Sequence, residues 1–251
     1  MRLAETRNIV IVGASSGIGE SLARKLARPD RCIALVARRM DKLDIIASEI
    51  NAKHSSEVAL PFFCDVTDHA GIPKLVDRIA SQMGGIDAII YASGVMSRIE
   101  PTEYSTGDDI EMIQVNVAGA VAWLNAVSKR FQIANKGIVV GISSVAADRG
   151  RRGNPVYGAT KAFFDTYLEG LRNRLERFGC MVITVKPGPI DTPMTQGLGR
   201  LPLMISSDEA ALQIISAIER GQRVVYVPAK WKPIMTVIRL VPSAIFKRLN
   251  I

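Results

Sequence analysis

The chain reads as an α/β protein: a doubly wound parallel sheet with helices on both faces, in one domain followed by an amphipathic C-terminal tail. Three observations carry this. Strand-like and helix-like segments alternate along most of the 251 residues. The strand-like segments are nearly continuous apolar runs, as expected where helices cover both faces of a sheet. No internal repeat or low-complexity linker interrupts the alternation, so residues 1–229 are expected to form the domain and 230–251 the tail.

The elements follow in order. Residues 8–12 form a short β-rich run, and 17–27 have a helical pattern. A second strand is expected over 32–37 and a helix over 41–50. Strands at 58–64 and 88–91 bracket a helix at 72–82. A long helical stretch covers 108–131. It is followed by a strand at 137–142, a long helix at 156–178 and a strand at 181–185. Residues 208–219 read as helix and 224–227 as the last strand.

Composition narrows the chemistry. Apolar residues make up 48% and charged residues 22%, ordinary values for a globular core. Cys32, Cys64 and Cys180 are odd in number, fit no metal spacing and sit in or beside strand-like runs, so buried thiols in a reducing compartment are expected. His54 and His69 adjoin no motif, which argues against a histidine triad or a zinc site, and no metal is expected. The first apolar run is broken by Gly13 and Gly17, unlike a secretory leader, and no apolar run reaches the roughly 20 residues of a membrane span. A cytoplasmic location is the expectation. The net charge is +8, yet seven basic residues and no acidic one lie from Arg220 onward, so the basicity belongs to the C-terminus.

The segment Gly13-Ala14-Ser15-Ser16-Gly17-Ile18-Gly19 joins the first strand to the first helix. Glycine lets a backbone pass close to a pyrophosphate, and the helix N-terminus offers unpaired N–H groups and a positive dipole end. In this position the segment predicts a dinucleotide-binding, Rossmann-type turn. The second strand ends Val36-Ala37-Arg38-Arg39, with no acid before Asp41. An acid there would select NAD. The guanidinium forks of Arg38 and Arg39, helped by the Ser15 hydroxyl, fit a ribose 2′-phosphate, so NADP is the expected cofactor. Further on, Tyr157 and Lys161 stand four residues apart on one helix face. A tyrosine titrates near ~10 when free, and a neighbouring ammonium stabilises its phenolate.

With these pieces in place the sequence resembles the short-chain dehydrogenase/reductase (SDR) family from the glycine turn to about Thr192, and again at the last strand. The matching pieces are the glycine turn, Asp65-Val66, Asn116-Val117-Ala118-Gly119, Ser143-Ser144, Tyr157-x-x-x-Lys161 and Pro187-Gly188-Pro189-Ile190-Asp191-Thr192. The resemblance implies a role for each. Ser144, thirteen residues before Tyr157, would hydrogen-bond the substrate oxygen. Tyr157 would transfer the proton, Lys161 would lower its pKa and bind the nicotinamide ribose, and Asn116 would hold a relay water. Gly13, Ser15, Ser16, Gly17, Ile18 and Gly19 would cradle the phosphates, with Asp65 and Val66 at the adenine. Pro187, Gly188 and Thr192 would border the nicotinamide and its carboxamide, and Ser93 and Gly94 would also lie among the cofactor-binding residues. Where the family often has Asn-Asn-Ala-Gly, this chain has Tyr91-Ala92-Ser93-Gly94, a shorter polar group at Ser93.

Three loops, 95–106, 145–154 and 189–206, are expected to converge where the substrate meets the cofactor. The last has the length of a lid. Arg149, Arg151 and Arg152 in the middle loop suit either an anionic substrate group or plain solvation. The tail from Trp231 mixes large apolar groups with lysine and arginine, which suits an interfacial membrane segment, bounded as helix by Pro233 and Pro242, or a surface packed on protein. The expected function is NADP(H)-dependent reduction of a ketone or aldehyde, lipophilic or lipid-linked, or oxidation of the alcohol. The alternatives are a 3-oxoacyl-carrier-protein reductase-like enzyme, whose acidic carrier would meet Arg172 and Arg174, and a non-catalytic nucleotide-binding regulator. The expected partners are the substrate, a membrane inner face touched through the tail, and further copies of the chain in a homo-oligomer. Nucleic acid is not among them.

Overall fold

The computed structural model describes residues 2–100, 102–199 and 201–249. Pro101 and Arg200 of the expected loops, and Asn250 and Ile251 of the tail, lie outside these. Seven strands form one parallel sheet: β1 (Asn8–Val12), β2 (Cys32–Ala37), β3 (Ala59–Phe63), β4 (Ala88–Tyr91), β5 (Gly137–Ile142), β6 (Cys180–Pro187) and a strand at Val224–Val227. Their order is β3-β2-β1-β4-β5-β6 with Val224–Val227 at the far edge, and the direction of winding switches between β1 and β4. The adjacent pairs are all parallel, as in Ile9 beside Ile33 on one flank and Ala88 on the other.

Alternation along the strands explains the unbroken apolar runs. Ile9 and Ile11 face one core, and Val10 and Val12 face another. The first core is closed by Leu22 and Leu26 of α1 (Gly17–Leu26), Leu43 and Ile46 of α2 (Met40–His54), and Ile214 and Ile218 of a helix at Ser207–Glu219. The second is closed by Val76 and Ile79 of α3 (Ile72–Met83) and by two long helical segments. The expected helix over 108–131 is in fact three pieces: α4 (Thr106–Ile113), one π-helical turn at Gln114–Ala118, and α5 (Gly119–Ala134). By length and composition Thr106–Ala134 is apolar enough to cross a membrane, a feature that counting contiguous apolar runs passes over. Here Trp123, Leu124, Val127 and Phe131 spend that apolarity on the core.

The long helix α6 (Pro155–Leu175) opens with a proline in its first turn and with the Asn154 side chain accepting from the Tyr157 N–H at 3.0 Å. Proline fits where no helical donor is needed, and asparagine satisfies one of the free donors of the first turn. The segment expected as one loop over 189–206 is pinned at both ends by a small parallel ladder, β7 (Ile190–Asp191) with β8 (Ile205–Ser206). Next come α7 (Ser207–Glu219), β9 (Val224–Val227), α8 (Trp231–Leu240) and the short α9 (Ser243–Phe246). α8 begins two residues before Pro233, which its first turn accommodates.

The tail is not a detached appendage. Trp231 and Met235 are buried against Val145, with Ile234 and Ile238 beside them. Arg149 donates to the Ile238 carbonyl at 2.6 Å and to that of Val241 at 2.5 Å, and its guanidinium lies 3.9 Å from the centre of the Phe246 ring. This corrects two expectations. Trp231 is an inward-facing core residue, not an interfacial ring. Arg149 holds the end of α8, where unpaired carbonyls and the negative dipole end attract a cation, and so is not set aside for substrate. Arg151 turns the same way, with Nη2 3.3 Å from the Met235 sulfur.

Candidate active site

A cleft of about 1000 Å³ opens at the carboxyl ends of the strands, its floor built by the turns that follow β1, β4, β5 and β6. The glycine turn forms one side. Gly13 takes φ +90°, and a Cβ there would stand 2.6 Å from the Ser93 nitrogen. A Cβ on Gly19 would stand 2.1 Å from the Gly13 carbonyl oxygen. Only glycine lets the turn fold this tightly against β4 and leaves its surface open to a bulky anion. Ser16, at the N-cap of α1, makes no side-chain cap, so the first amides of α1 keep their free donors.

At the end of β2 the two arginines differ. Arg39 donates from Nη2 to the Ser15 hydroxyl at 2.9 Å and to the Ser16 hydroxyl at 2.7 Å, placing its fork against the phosphate turn. Arg38 is exposed, with Nη1 3.9 Å from Asp65. Both line the cleft with Ser15, Ser16, Gly17, Ile18, Val66, Ser93 and Gly94. Asp65 does not line it. Its carboxylate accepts from the Thr67 N–H and hydroxyl at 2.9 and 2.8 Å, which holds its pKa below the usual carboxylate range and shapes the turn that presents Val66.

The catalytic candidates meet on the other side. Tyr157 is half-buried in the cleft lining, and desolvation holds its phenol above the ordinary range, offset in part by a hydrogen bond with the Ser144 side chain. Lys161, one turn along α6, sends its ammonium to the Ile142 carbonyl at 3.1 Å and lies 5.8 Å from the centre of the Tyr157 ring. Burial lowers its pKa to about 8, against the opposing field of Asp165. In this structure desolvation sets the direction of the Tyr157 shift, and the group opposing it is Ser144, not the Lys161 ammonium expected from the sequence. Ser143 is buried and donates to the Lys161 carbonyl, so Ser144 is the serine that faces the cleft.

Asn116 stands behind this group and does not line the cleft. The π-helical turn aims its amide at the backbone of Val95, accepting from its N–H at 2.8 Å and donating to its carbonyl at 2.9 Å. It also donates to the Thr160 hydroxyl at 3.2 Å, tying the segment after β4 to the catalytic helix. Gly94 closes the gap: a Cβ there would stand 3.2 Å from Asn116 Oδ1 and 3.3 Å from Lys161 Nζ. Pro187, Gly188 and Thr192, expected at the nicotinamide, also line the cleft. Thr192 lies over the glycine turn, its methyl 2.9 Å from where a Gly17 Cβ would be.

Sequence reasoning did not assign three features. Trp231 forms part of the cleft wall and packs so closely on Gly188 that a Cβ there would stand 2.0 Å from its indole nitrogen. Asn154 lines the cleft as well as capping α6, and the Asn-Pro pair is a readable helix-start signal. The third is a buried ion cluster behind the site: Lys186 Nζ lies 2.5 Å from Asp148 and 2.7 Å from Asp165, and the Tyr226 hydroxyl donates to Asp148 at 2.8 Å.

The comparisons with known proteins agree with this geometry. The sequence model of the short chain dehydrogenase family matches residues 7–201. An uncharacterized oxidoreductase of Mycobacterium tuberculosis is 30% identical over 241 residues, covering 96% of each chain. One of Staphylococcus epidermidis is 33% identical over 188 residues, 75% of this chain and 80% of its own. Among solved structures, a short-chain dehydrogenase from Sphingobium yanoikuyae in complex with NADPH superposes with a TM-score of 0.81 at 25% identity, covering 95% of this chain and 97% of that one. The fold, the glycine turn and the Tyr157/Lys161 helix thus have one explanation: the chain belongs to the short-chain dehydrogenase/reductase family and is an oxidoreductase of it.

Proposed function

We propose that the protein is an NADP(H)-dependent reductase of a ketone or aldehyde with a lipophilic body, able to run in reverse as an alcohol dehydrogenase. The observation that carries this is the convergence of Ser144, Tyr157 and Lys161 at the cleft floor, where desolvation raises the Tyr157 pKa and so favours the protonated phenol. A protonated phenol is the form a reduction needs. Preference for NADP(H) rests on Arg39 and its serine partners, and on the NADPH found in the Sphingobium relative. The residues fit the cofactor, because the glycine turn lines the cleft in a tight form that a Cβ at Gly13 or Gly19 would force apart, with the first amides of α1 left free beside it.

When bound, the nicotinamide supplies a hydride to the carbonyl carbon. The remaining work belongs to this chain. Ser144 donates to the carbonyl oxygen and fixes its direction, and Tyr157 gives that oxygen a proton as the carbon is reduced. Lys161 holds a positive charge within the same buried space, against the phenolate that Tyr157 leaves behind. Asn116 positions the backbone of Val95 and, through Thr160, the first turns of α6. The substrate side presents Val95, Met96, Ile99, Met194, Leu198 and Trp231, an apolar wall suited to an alkyl or prenyl body.

The carrier-protein alternative loses one of its docking residues. Arg172 donates to the Val182 and Arg223 carbonyls and to the Thr184 hydroxyl, bracing the sheet edge instead of offering itself to an acidic partner. NADPH consumption over a panel of ketones and aldehydes of graded chain length tests the proposal. Turnover should rise with apolar length and be much lower with NADH. Tight NADPH binding without turnover of any carbonyl would instead favour a nucleotide-binding regulator.

A further inference from the structure

α8 carries two apolar stripes. Trp231, Ile234, Met235 and Ile238 recur at helical spacing and face the domain. Pro233, Val237 and Leu240 recur at the same spacing on a side that none of the described residues covers, with Val237 64% and Leu240 78% exposed. Beyond the Pro242 break, Ile245 is 53% exposed. Lys232, Arg239, Lys247 and Arg248 are exposed among them, and no acidic residue occurs from Arg220 to the end of the chain. One stripe accounts for the helix. The second leaves branched apolar side chains in water in a helix that is already fastened, because Arg149 holds its C-terminal carbonyls and Trp231 is buried.

We propose that this outer face of α8 and α9 docks on an anionic membrane surface, with Val237, Leu240 and Ile245 entering the acyl boundary and the four basic side chains meeting lipid phosphates. Charge and size favour this occupant over a second copy of the chain. A twofold contact would set lysine and arginine against their own kind with no carboxylate from the tail to offset them. A ten-residue helix is about 15 Å long, and its single stripe falls well short of the roughly 800 Å² per partner of a stable protein interface. A bilayer needs only a shallow apolar stripe flanked by cations. The inner stripe makes the docking matter for the cleft. Trp231 is at once the root of α8 and part of the cleft wall, so the bound surface would lie one helix away from the substrate side. The docking stands on its own whether or not the proposed reaction does.

The test is co-sedimentation of the full chain with vesicles of phosphatidylcholine alone, and of phosphatidylcholine mixed with phosphatidylglycerol, at low and high salt. Sedimentation should need the anionic lipid and fade with salt. Replacing Lys232, Arg239, Lys247 and Arg248 with glutamine should weaken partitioning about fivefold per charge. A second variant, Val237→Ser with Leu240→Ser and Ile245→Ser, should weaken it by about tenfold or more. These positions are already exposed, so both variants should melt and bind NADPH as the parent does. Absence of sedimentation at low salt overturns the proposal. So does binding that the serine variant retains in full, since that describes a polyanion site and not a membrane one. Dimerisation without lipid that the serine variant abolishes, read by analytical ultracentrifugation, assigns the face to a second copy and overturns it as well.

Discussion

The nucleotide wall of the cleft and the packed wall behind its tail side both carry arginine, and they use it in opposite ways. On the nucleotide wall, Arg39 rests on two hydroxyls, Ser15 and Ser16, and Arg38 reaches into solvent beside Asp65. Hydroxyls and water exchange readily for a stronger acceptor, so this wall still has charge to give a phosphate. On the packed wall behind the tail side, Arg149 is committed to the carbonyls that end α8 and to the Phe246 ring, and burial lowers the Arg151 pKa. A guanidinium that already satisfies a helix C-terminus is structural, however basic its neighbourhood looks. What separates a binding arginine from a bracing one is its partner, and a sequence does not print partners.

The largest expected effect lies between the walls. Tyr157→Phe keeps both of them and removes one hydroxyl, so turnover of an identified carbonyl should fall by about 10²–10⁴-fold or more. NADPH affinity and melting temperature should stay near those of the parent. A Phe variant within a few-fold of parental turnover would mean that the proton comes from elsewhere.

The comparison itself is tested next by paired arginine substitutions. Arg39→Ala should weaken NADPH binding by about 1.5–3 kcal/mol, the range for hydrogen bonds to charged groups, and leave NADH nearly unchanged. Arg38→Ala should cost less, because Asp65 already draws that side chain. Arg149→Ala should leave both affinities alone and instead destabilise the fold by about 1–3 kcal/mol, since it strands carbonyls at the end of α8. Calorimetric titration and thermal melting give the two readouts. If Arg149→Ala weakened NADPH as much as Arg39→Ala does, the division between the walls would collapse.

The same contrast explains what the sequence revealed. The glycine turn was legible because backbone close to backbone leaves no choice of residue, as at Gly13 and Gly19. Tyr157 and Lys161 were legible because four residues make a helical turn. The π-helical turn that aims Asn116 was not, since one extra residue in a turn leaves no compositional mark. The double role of α8 was hidden because its two apolar stripes have the same period, so a pattern of period 3.6 could not say which stripe faces inward. Nor was the Asp148–Lys186–Asp165 cluster foreseen. Its members come from the turn after β5, from β6 and from α6, and only the folded sheet brings them together.

That cluster yields the smallest and most specific prediction. Two carboxylates share Lys186, which leaves one buried negative charge in excess. Lys161 stands one helical turn before Asp165, and the field of Asp165 opposes the burial that pulls the Lys161 pKa down to about 8. The ammonium is therefore present below about pH 8 and is lost above it, so reductive turnover should decline as pH rises through that region. Asp165→Asn removes the supporting charge and keeps the shape. The declining limb should then move to lower pH by about one unit, in line with the effect of a nearby opposite charge. Asp165→Glu should restore its position. A purely structural role would lower stability or the plateau rate without moving the limb. A pH profile of kcat taken at saturating NADPH distinguishes the two, and an unmoved limb in a folded Asp165→Asn variant would show that Lys161 holds its proton without help from the cluster.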